Sequence, residues 1–167
     1  MSIAEFDENF VKGMTAQAFA GTPLFSRTFD EGMALVEEAA RYLDGRGKED
    51  ARNLPRKTAM LYASESLRVT TRLMQAASWL LVQRAVHEGD MPSTDATDDR
   101  YRLGSKEICF GGRSDEIAGL PKALQDLLSR SESLYRRIAR LEEVLLNARP
   151  APGVRTQFER LEQAFGG

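Results

Sequence analysis

The stretch "LPKALQDLLSRSESLYRRIARLEEVLLN", residues 120–147, decides the fold class of this sequence. Its apolar residues recur with alternating steps of four and three, and the positions of the series are Leu120, Leu124, Leu127, Ser131, Leu134, Ile138, Leu141 and Leu145. Such a heptad seam is typical of helices in coiled coils and helical bundles. The pattern predicts a helix from about Pro121 to Asn147 that packs on other helices, with the small Ser131 leaving room for a bulky neighbour.

Two further helices are predicted upstream of this one. Residues 26–43 carry one apolar stripe, which includes Phe29, Met33, Val36, Ala40 and Leu43, and this predicts the first helix. The pattern of residues 54–88 predicts a second helix, which would be about 52 Å long. Pro55 would stand in its first turn, where a proline is tolerated. Residues 89–119 have a weak pattern and predict a long connection. We therefore predict an all-α, antiparallel three-helix bundle over residues 23–148, with a flexible arm at 1–22 and a flexible tail at 149–167.

The composition fits one domain of ordinary size. The chain has 167 residues, of which 42% are hydrophobic and 29% charged, and its formal net charge is -2. A general nucleic-acid binder usually carries a clear basic excess, which is missing here. The start of the chain has no apolar signal segment, and no apolar run approaches the roughly 18 residues of a membrane helix. A reducing, cytoplasmic setting is the expectation, because Cys109 is the single cysteine.

The sequence carries few signs of catalysis. One histidine, His87, and one cysteine, Cys109, exclude an HExxH site and every CxxC pair. The two glycines of "FGGRSDE" do not follow a confident strand, which argues against a phosphate site. We interpret His87 as a helix-end histidine and Cys109 as a small buried hydrophobe. The prediction is a protein without enzymatic activity, cofactor or metal.

The second helix has more apolar residues than one core-facing side needs. Projected at 100° per residue, one half of its circumference holds the predicted core positions Tyr62, Leu67, Val69, Leu73, Met74, Ala76, Ala77, Leu80, Leu81 and Ala85. The opposite, mostly polar half includes Leu61, Trp79, Val82 and Val86. Either the long connection or the arm folds over this second set, or the set forms a homodimer interface, or it docks another protein. A tryptophan flanked by aliphatic residues and arginine is typical of an interface centre. The predicted interface residues are therefore Leu61, Arg68, Arg72, Trp79, Val82 and Val86.

Arginine rows offer an alternative binding surface. They consist of Arg130, Arg136, Arg137 and Arg140 on the third helix and Arg68, Arg72 and Arg84 on the second. Such a strip can meet phosphate or an acidic partner. Glu132 and Glu143 interrupt the third-helix row, however, and favour an ordinary solvated face with ion pairs along the helix.

The tail has a pattern of its own after the break "RPAPG" at 149–153. Val154, Phe158, Leu161 and Phe165 follow steps of four, three and four, which predicts a short amphipathic helix on a tether. Phe158, Leu161 and Phe165 are the predicted tail contact with a partner. A frayed terminus is the equally favoured alternative.

Three segments resemble a known family. "MALVEEAARYLDG" (33–45), "LYASESLRVTTRLMQAASWLLVQRAVHEGDM" (61–91) and "LSRSESLYRRIARLE" (128–142) are similar to the corresponding segments of the regulator of CtrA degradation (RcdA) family. The resemblance covers all three predicted helices.

The resemblance implies a cytoplasmic adaptor without catalytic residues. Members of that family are three-helix bundles that dimerise and help deliver selected substrates, including cell-cycle transcription regulators, to the ClpXP protease. They work with a response-regulator-type priming adaptor and can collect at a cell pole. The alternative is a helical-bundle regulator, unrelated to proteolysis, that binds nucleic acid or another protein through the arginine rows.

Overall fold

The computed structural model describes residues 9–111, 115–147 and 164. Its helices are α1 (Ala16–Ala20), α2 (Pro23–Asp44), α3 (Arg46–Arg52), α4 (Arg56–Glu88), α5 (Lys106–Cys109) and α6 (Lys122–Asn147), and short 3-10 turns lie at Asp95–Thr97, Asp99–Tyr101 and Asp115–Gly119. Among the described helices, none is both long and apolar enough to cross a membrane. The predicted all-α bundle of three long helices is confirmed, and the three are α2, α4 and α6.

Local signals fix the ends of the long helices. Thr22 caps α2, because its side-chain oxygen accepts a hydrogen bond from the Phe25 amide at 3.3 Å, and Pro23 stands in the first turn, where a proline costs no hydrogen bond. Helix α4 ends at Gly89, whose φ of 82° is left-handed, a conformation that glycine adopts without steric penalty.

Helix α2 runs antiparallel to both other long helices. Gly32 of α2 approaches Leu80 of α4, whereas Gly47, just beyond α2, approaches Tyr62. Ion pairs show the same direction against α6, since Glu38 pairs with Arg130 and Glu31 pairs with Arg137. Along each of these contacts, residue numbers rise in one helix as they fall in the other. The antiparallel prediction is therefore correct for α2 with α4 and for α2 with α6.

Helices α4 and α6 run parallel, which differs from the prediction. Thr58 lies beside Gly119, and Arg72 is bonded to the carbonyl of Leu128, one turn before Ser131. Both residue numbers rise together along this contact. The reason is the connection between the helices, which starts at the end of α4 and returns to its beginning, where Lys57 pairs with Glu116.

The predicted seam of α6 forms the centre of the core. Its buried residues include Leu120, Leu124, Leu127, Leu134, Ile138, Leu141 and Leu145. Ser131 is also buried, and its Oγ lies 3.5 Å from Nη1 of Arg72. The small side chain leaves room for the guanidinium of Arg72, so the bulky neighbour expected from the sequence is an arginine.

Much of the predicted arm is packed into the bundle. Val11 and Phe19 are fully buried, and the Phe19 ring lies 6.2 Å from the Trp79 ring. Thr15 caps α1 by accepting a hydrogen bond from the Ala18 amide at 3.1 Å. For residues 9–22 the predicted boundary with the bundle is therefore wrong, because two large apolar side chains belong to the common core. Residues 1–8 and the tail positions 148–163 and 165–167 lie outside the described residues.

Candidate protein-interaction surface

The predicted polar half of α4 faces the connection between α4 and α6. Glu65, Arg72 and Gln83 are buried. Gln83 donates to the Ala96 carbonyl at 3.3 Å, and Gln75 accepts from the Gly104 amide at 2.8 Å. The main chain of an irregular segment needs hydrogen-bond partners when it packs on a helix. These side chains supply them, so this half of α4 lies inside the molecule.

Helix α6 holds the same connection from its other side. The carboxylate of Glu142, itself buried, accepts a hydrogen bond from the Leu103 amide at 2.9 Å. The Tyr135 hydroxyl donates to the Gly104 carbonyl at 3.0 Å. Residues 103–104 are thus clamped between the two parallel helices.

The predicted interface around Trp79 is not a surface of the folded chain. Trp79 and Val86 are 2% exposed and Val82 is 8% exposed. Helix α1 covers Trp79 through Phe19, and the turn at Asp95–Thr97 also contacts α4. Of the three explanations that the sequence allows, the structure shows the arm and the connection folding over these residues.

The other predicted interface residues are also engaged within the chain. Arg72 is buried, and Arg68 is paired with Glu65 at 3.2 Å. Leu61 is partly buried and packs against the core. The interface prediction is therefore corrected, because these side chains contact the chain's own core and connection.

A different row of α4 residues is exposed. Met60, Leu67, Met74 and Leu81 are 68%, 61%, 67% and 44% exposed and follow one another at intervals of seven. We call these four residues the α4 seam, which extends over about 31 Å of helix. The exposed positions between them on this side are small and uncharged, and they are Ala63, Ser64, Thr70 and Ser78. The sequence analysis assigned Leu67, Met74 and Leu81 to the core, and the structure corrects this part of the prediction. The predicted core residues beside them are buried as expected, and they are Tyr62, Val69, Leu73, Ala76 and Leu80.

An apolar groove adjoins the α4 seam, between α2 and α4. It has a volume of about 190 Å³ and is lined by Val36, Ala39, Ala40, Leu43, Thr70, Leu73, Met74 and Ala77. We call it the α2–α4 groove. Met74 belongs to both features, so the seam and the groove form one continuous apolar surface. Large exposed apolar patches on a folded protein often mark interaction sites.

Several arginines of the two rows lie in ion pairs, whereas Arg72 is buried and donates to main-chain carbonyls. Arg130 pairs with Glu38 at 2.8 Å and with Asp126 at 2.9 Å, and Arg136 pairs with Glu132 at 3.0 Å. Arg84 lies over the ring of Phe29, 4.3 Å from its centroid. Acidic and aromatic neighbours therefore offset these cations, as the interpretation of a solvated, ion-paired face predicts.

The residues that invited a chemical interpretation are accounted for by packing. Cys109 is fully buried, as predicted, and burial raises the pKa of its thiol above the ordinary value. His87 Nδ1 lies 3.0 Å from the carbonyl oxygen of Gln17, which ties the end of α4 to α1. Within the described ranges, no cluster of three or more His, Cys, Asp or Glu side chains is arranged to hold a metal ion. The predicted tail contact at Phe158, Leu161 and Phe165 lies outside the described residues.

Comparison with known proteins identifies the family of this chain. No curated protein matches the chain. Residues 16–165 match the family described as "Protein of unknown function (DUF1465)". The chain is also similar to the crystal structure of RcdA from Caulobacter crescentus, with 49% sequence identity and a TM-score of 0.63 over 77% of this chain and 96% of that one. Because identity at this level extends over most of both chains, this protein belongs to the RcdA family.

Proposed function

We propose that this protein is a non-enzymatic adaptor that helps deliver selected regulatory proteins to the ClpXP protease in bacterial cell-cycle control. The observation that carries the proposal is the 49% identity to RcdA across 77% of the chain. The name of that family refers to the degradation of CtrA, a regulator, and therefore to regulated proteolysis.

The surface of the bundle supports a role in protein binding. An adaptor works by raising the effective concentration of its cargo at a machine, so it needs binding surfaces more than a reaction centre. The α4 seam exposes four large apolar side chains in one row. This row is the kind of surface that a second protein or a second copy covers.

We further propose that the α4 seam forms a homodimer interface. Two copies of α4 that pack antiparallel about a two-fold axis bring the same surface patch together from each protomer. With the axis midway between Leu67 and Met74, Leu67 of one protomer faces Met74 of its partner, and Met60 faces Leu81. All four residues of the seam then meet apolar residues, while the small side chains between them let the helices approach closely.

The remaining parts of the proposal rest on the family relationship. The partners are the ClpX component of the protease, a priming adaptor of the response-regulator type and protein cargo. The location is cytoplasmic, with accumulation at a cell pole. The alternative of a nucleic-acid-binding regulator has less support, because Arg130 and Arg136 already pair with acids.

The test is a degradation assay with purified components. The full chain is added to ClpXP and a family-type cargo such as CtrA, with and without the priming partner, and loss of cargo is followed over time. Faster degradation in the presence of the full chain supports the proposal. If the rate stays the same for every regulatory cargo tested, with the priming partner present, the adaptor function is wrong.

A further inference from the structure

The α2–α4 groove is an apolar depression between two antiparallel helices, with a volume of about 190 Å³. Seven of its eight lining residues are apolar, and Thr70 is the exception. Three alanines, Ala39, Ala40 and Ala77, line its walls and leave space for larger side chains. A helix laid in this groove would complete a four-helix arrangement, in which bulky residues of one helix fill holes between residues of its neighbours.

We propose that the chain's own C-terminal segment, residues 154–165, docks in the α2–α4 groove as this additional helix. The segment presents Val154, Phe158, Leu161 and Phe165 at steps of four, three and four, which places them on one helical face. Phenylalanine and leucine side chains are large enough to fill space beside the alanines, and their burial would remove apolar area from water on both surfaces.

The direction of the helices places the start of this segment within reach of the groove. Arg72 of α4 is level with Leu128 and Ser131 of the parallel helix α6. Glu88, sixteen residues farther along α4, is therefore level with the end of α6 at Asn147. Since α4 rises about 1.5 Å per residue, Met74 in the groove lies about 21 Å from that end of the bundle.

The length of the connecting residues fits this distance. Residues 148–153, "ARPAPG", span up to about 20 Å when extended, and their two prolines disfavour a continuation of α6. A helix over residues 154–165 adds about 18 Å. The segment can therefore run from Asn147 around the end of the bundle to Met74, but it ends short of Met60, which lies about 21 Å beyond Met74.

Docking within one chain also has a concentration advantage. A short tether holds the segment near the groove at an effective concentration in about the millimolar range. A second copy at ordinary protein concentrations is far more dilute. The intramolecular contact is therefore favoured over the same contact made between two chains.

Docking of the segment would regulate self-association. Met74 belongs to the groove and to the α4 seam, so a docked segment covers the part of the seam around Met74 and competes with a second copy. This consequence rests on the proposed homodimer, whereas the docking itself does not.

Two methionines provide a matched pair of probes. Met60 is 68% exposed and Met74 is 67% exposed, and both stand on the same row of α4. With methyl-¹³C methionine in the full chain, NMR reports each methyl group separately, and Met60→Leu and Met74→Leu assign the two signals. The test variant is Phe158→Ser with Leu161→Ser. The control variant is Thr156→Ala with Gln163→Ala, on the opposite face of the predicted helix.

The expected result is a shift of the Met74 signal in the test variant, because the ring of Phe158 and its neighbours leave the groove. The Met60 signal stays in place, and the control variant leaves both signals unchanged. None of these tail substitutions alters the described bundle, so unfolding does not complicate the comparison. The two proteins are compared at concentrations at which both sediment as monomers, and the Met74 shift must already be present there.

Two results would overturn the proposal. One is a Met74 signal that is identical in the full chain and the test variant. The other is a difference that appears only as protein concentration rises, which would assign the groove to a second copy. The measurement needs neither protease nor cargo, so failure of the docking is distinguishable from failure of the adaptor function.

Discussion

Nε of Arg72 donates a hydrogen bond to the main-chain carbonyl oxygen of Cys109 at 2.8 Å, across 37 residues of sequence. Nη1 of the same guanidinium donates to the Leu128 carbonyl at 3.1 Å. Through these two bonds, the buried Arg72 side chain of α4 holds both the α4–α6 connection and α6 itself. The bonds keep the returning chain beside α4, so that α6 runs parallel to α4.

Replacing Arg72 is expected to destabilise the fold. Arg72→Met keeps most of the side-chain volume but leaves the buried Cys109 carbonyl without its donor, which costs about 1–3 kcal/mol. The loss of the bond to Leu128 adds to this figure. Urea unfolding followed by circular dichroism measures the change in the free energy of unfolding. Arg41→Met is the control, because Arg41 is exposed and pairs with Glu37 one turn away on the same helix. Equal stability losses in the two variants would contradict the role of the Arg72 hydrogen bonds.

The helices of this fold could be predicted because their signals are local. The apolar steps of α6 and the proline and glycine near the ends of α4 specify where helices form. The direction of α6 could not be predicted in the same way. It depends on hydrogen bonds such as Arg72 to Cys109 and Glu142 to Leu103, which join residues far apart in sequence.

The buried arc of α4 was placed wrongly at both edges for a related reason, since Trp79 is buried and Leu67 is exposed. Apolar residues lie on both sides of this helix, so periodicity alone does not decide which side is buried. Glu65 and Gln83 resemble solvated residues in the sequence, but they are buried beneath the connection. The uncharged row of Met60, Leu67 and Met74 at intervals of seven was the available signal for the exposed surface, and its regularity suits a helical partner.

Removal of the Phe19 ring is expected to uncover Trp79. Phe19 is fully buried and lies 5.5 Å from the Phe25 ring as well as 6.2 Å from Trp79. Phe19→Ala should lower the free energy of unfolding by about 3–5 kcal/mol. Trp79 is the single tryptophan, so acrylamide quenching of its fluorescence should increase. Phe10→Ala, at a residue that is 45% exposed, is the control and should leave the quenching unchanged; a similar increase in both variants would argue against a cover formed by α1.

Stability is expected to fall under alkaline conditions. Burial raises the pKa of the Cys109 thiol above its ordinary value of 9.0, and burial also raises the pKa of the Tyr135 hydroxyl. Above about pH 9 the unfolded chain releases the Cys109 proton while the folded chain keeps it, so the unfolded state binds fewer protons and the free energy of unfolding decreases as pH rises. Tyr135 extends this decrease beyond its ordinary pKa of 10.0.

Substitution of Cys109 separates its contribution to this pH dependence. Cys109→Ala removes the titrating thiol, so urea midpoints measured between pH 8 and pH 10 should fall less steeply than those of the unsubstituted chain. Midpoints that fall equally in both proteins would show that Cys109 does not contribute.

A charge in the α4 seam is expected to prevent self-association without unfolding the chain. Leu67 is 61% exposed, so Leu67→Glu should change the free energy of unfolding of the monomer by no more than about 0.5 kcal/mol. In the proposed dimer the new carboxylate would be buried against Met74 of the partner, which disfavours the complex. Sedimentation velocity over a concentration series measures the association. Lys48→Glu, on an exposed residue of α3, is the control, and unchanged association of Leu67→Glu would remove the seam as the interface.

A methyl group at Gly47 is expected to disturb the corner between α2 and α4. A Cβ atom built at Gly47 would lie 2.5 Å from the Tyr62 hydroxyl oxygen and 2.7 Å from the Tyr42 carbonyl oxygen. The Tyr42 carbonyl belongs to the backbone of α2, so relief requires a movement of helix α3 away from α2. Gly47→Ala should therefore lower the free energy of unfolding by about 1–3 kcal/mol, as overpacking of a buried site does.

Gly119→Ala is the matched control for this corner, since the nearest atom to its added methyl, Cγ2 of Thr58, lies at an ordinary 3.8 Å. Thermal unfolding of both variants compares the two sites directly. Because a glycine-to-alanine change also reduces the freedom of the unfolded chain, Gly119→Ala is expected to match or slightly exceed the stability of the unsubstituted protein. Equal midpoints for the two variants would mean that α3 moves aside at little cost and that Gly47 is not required for the close approach of Tyr62.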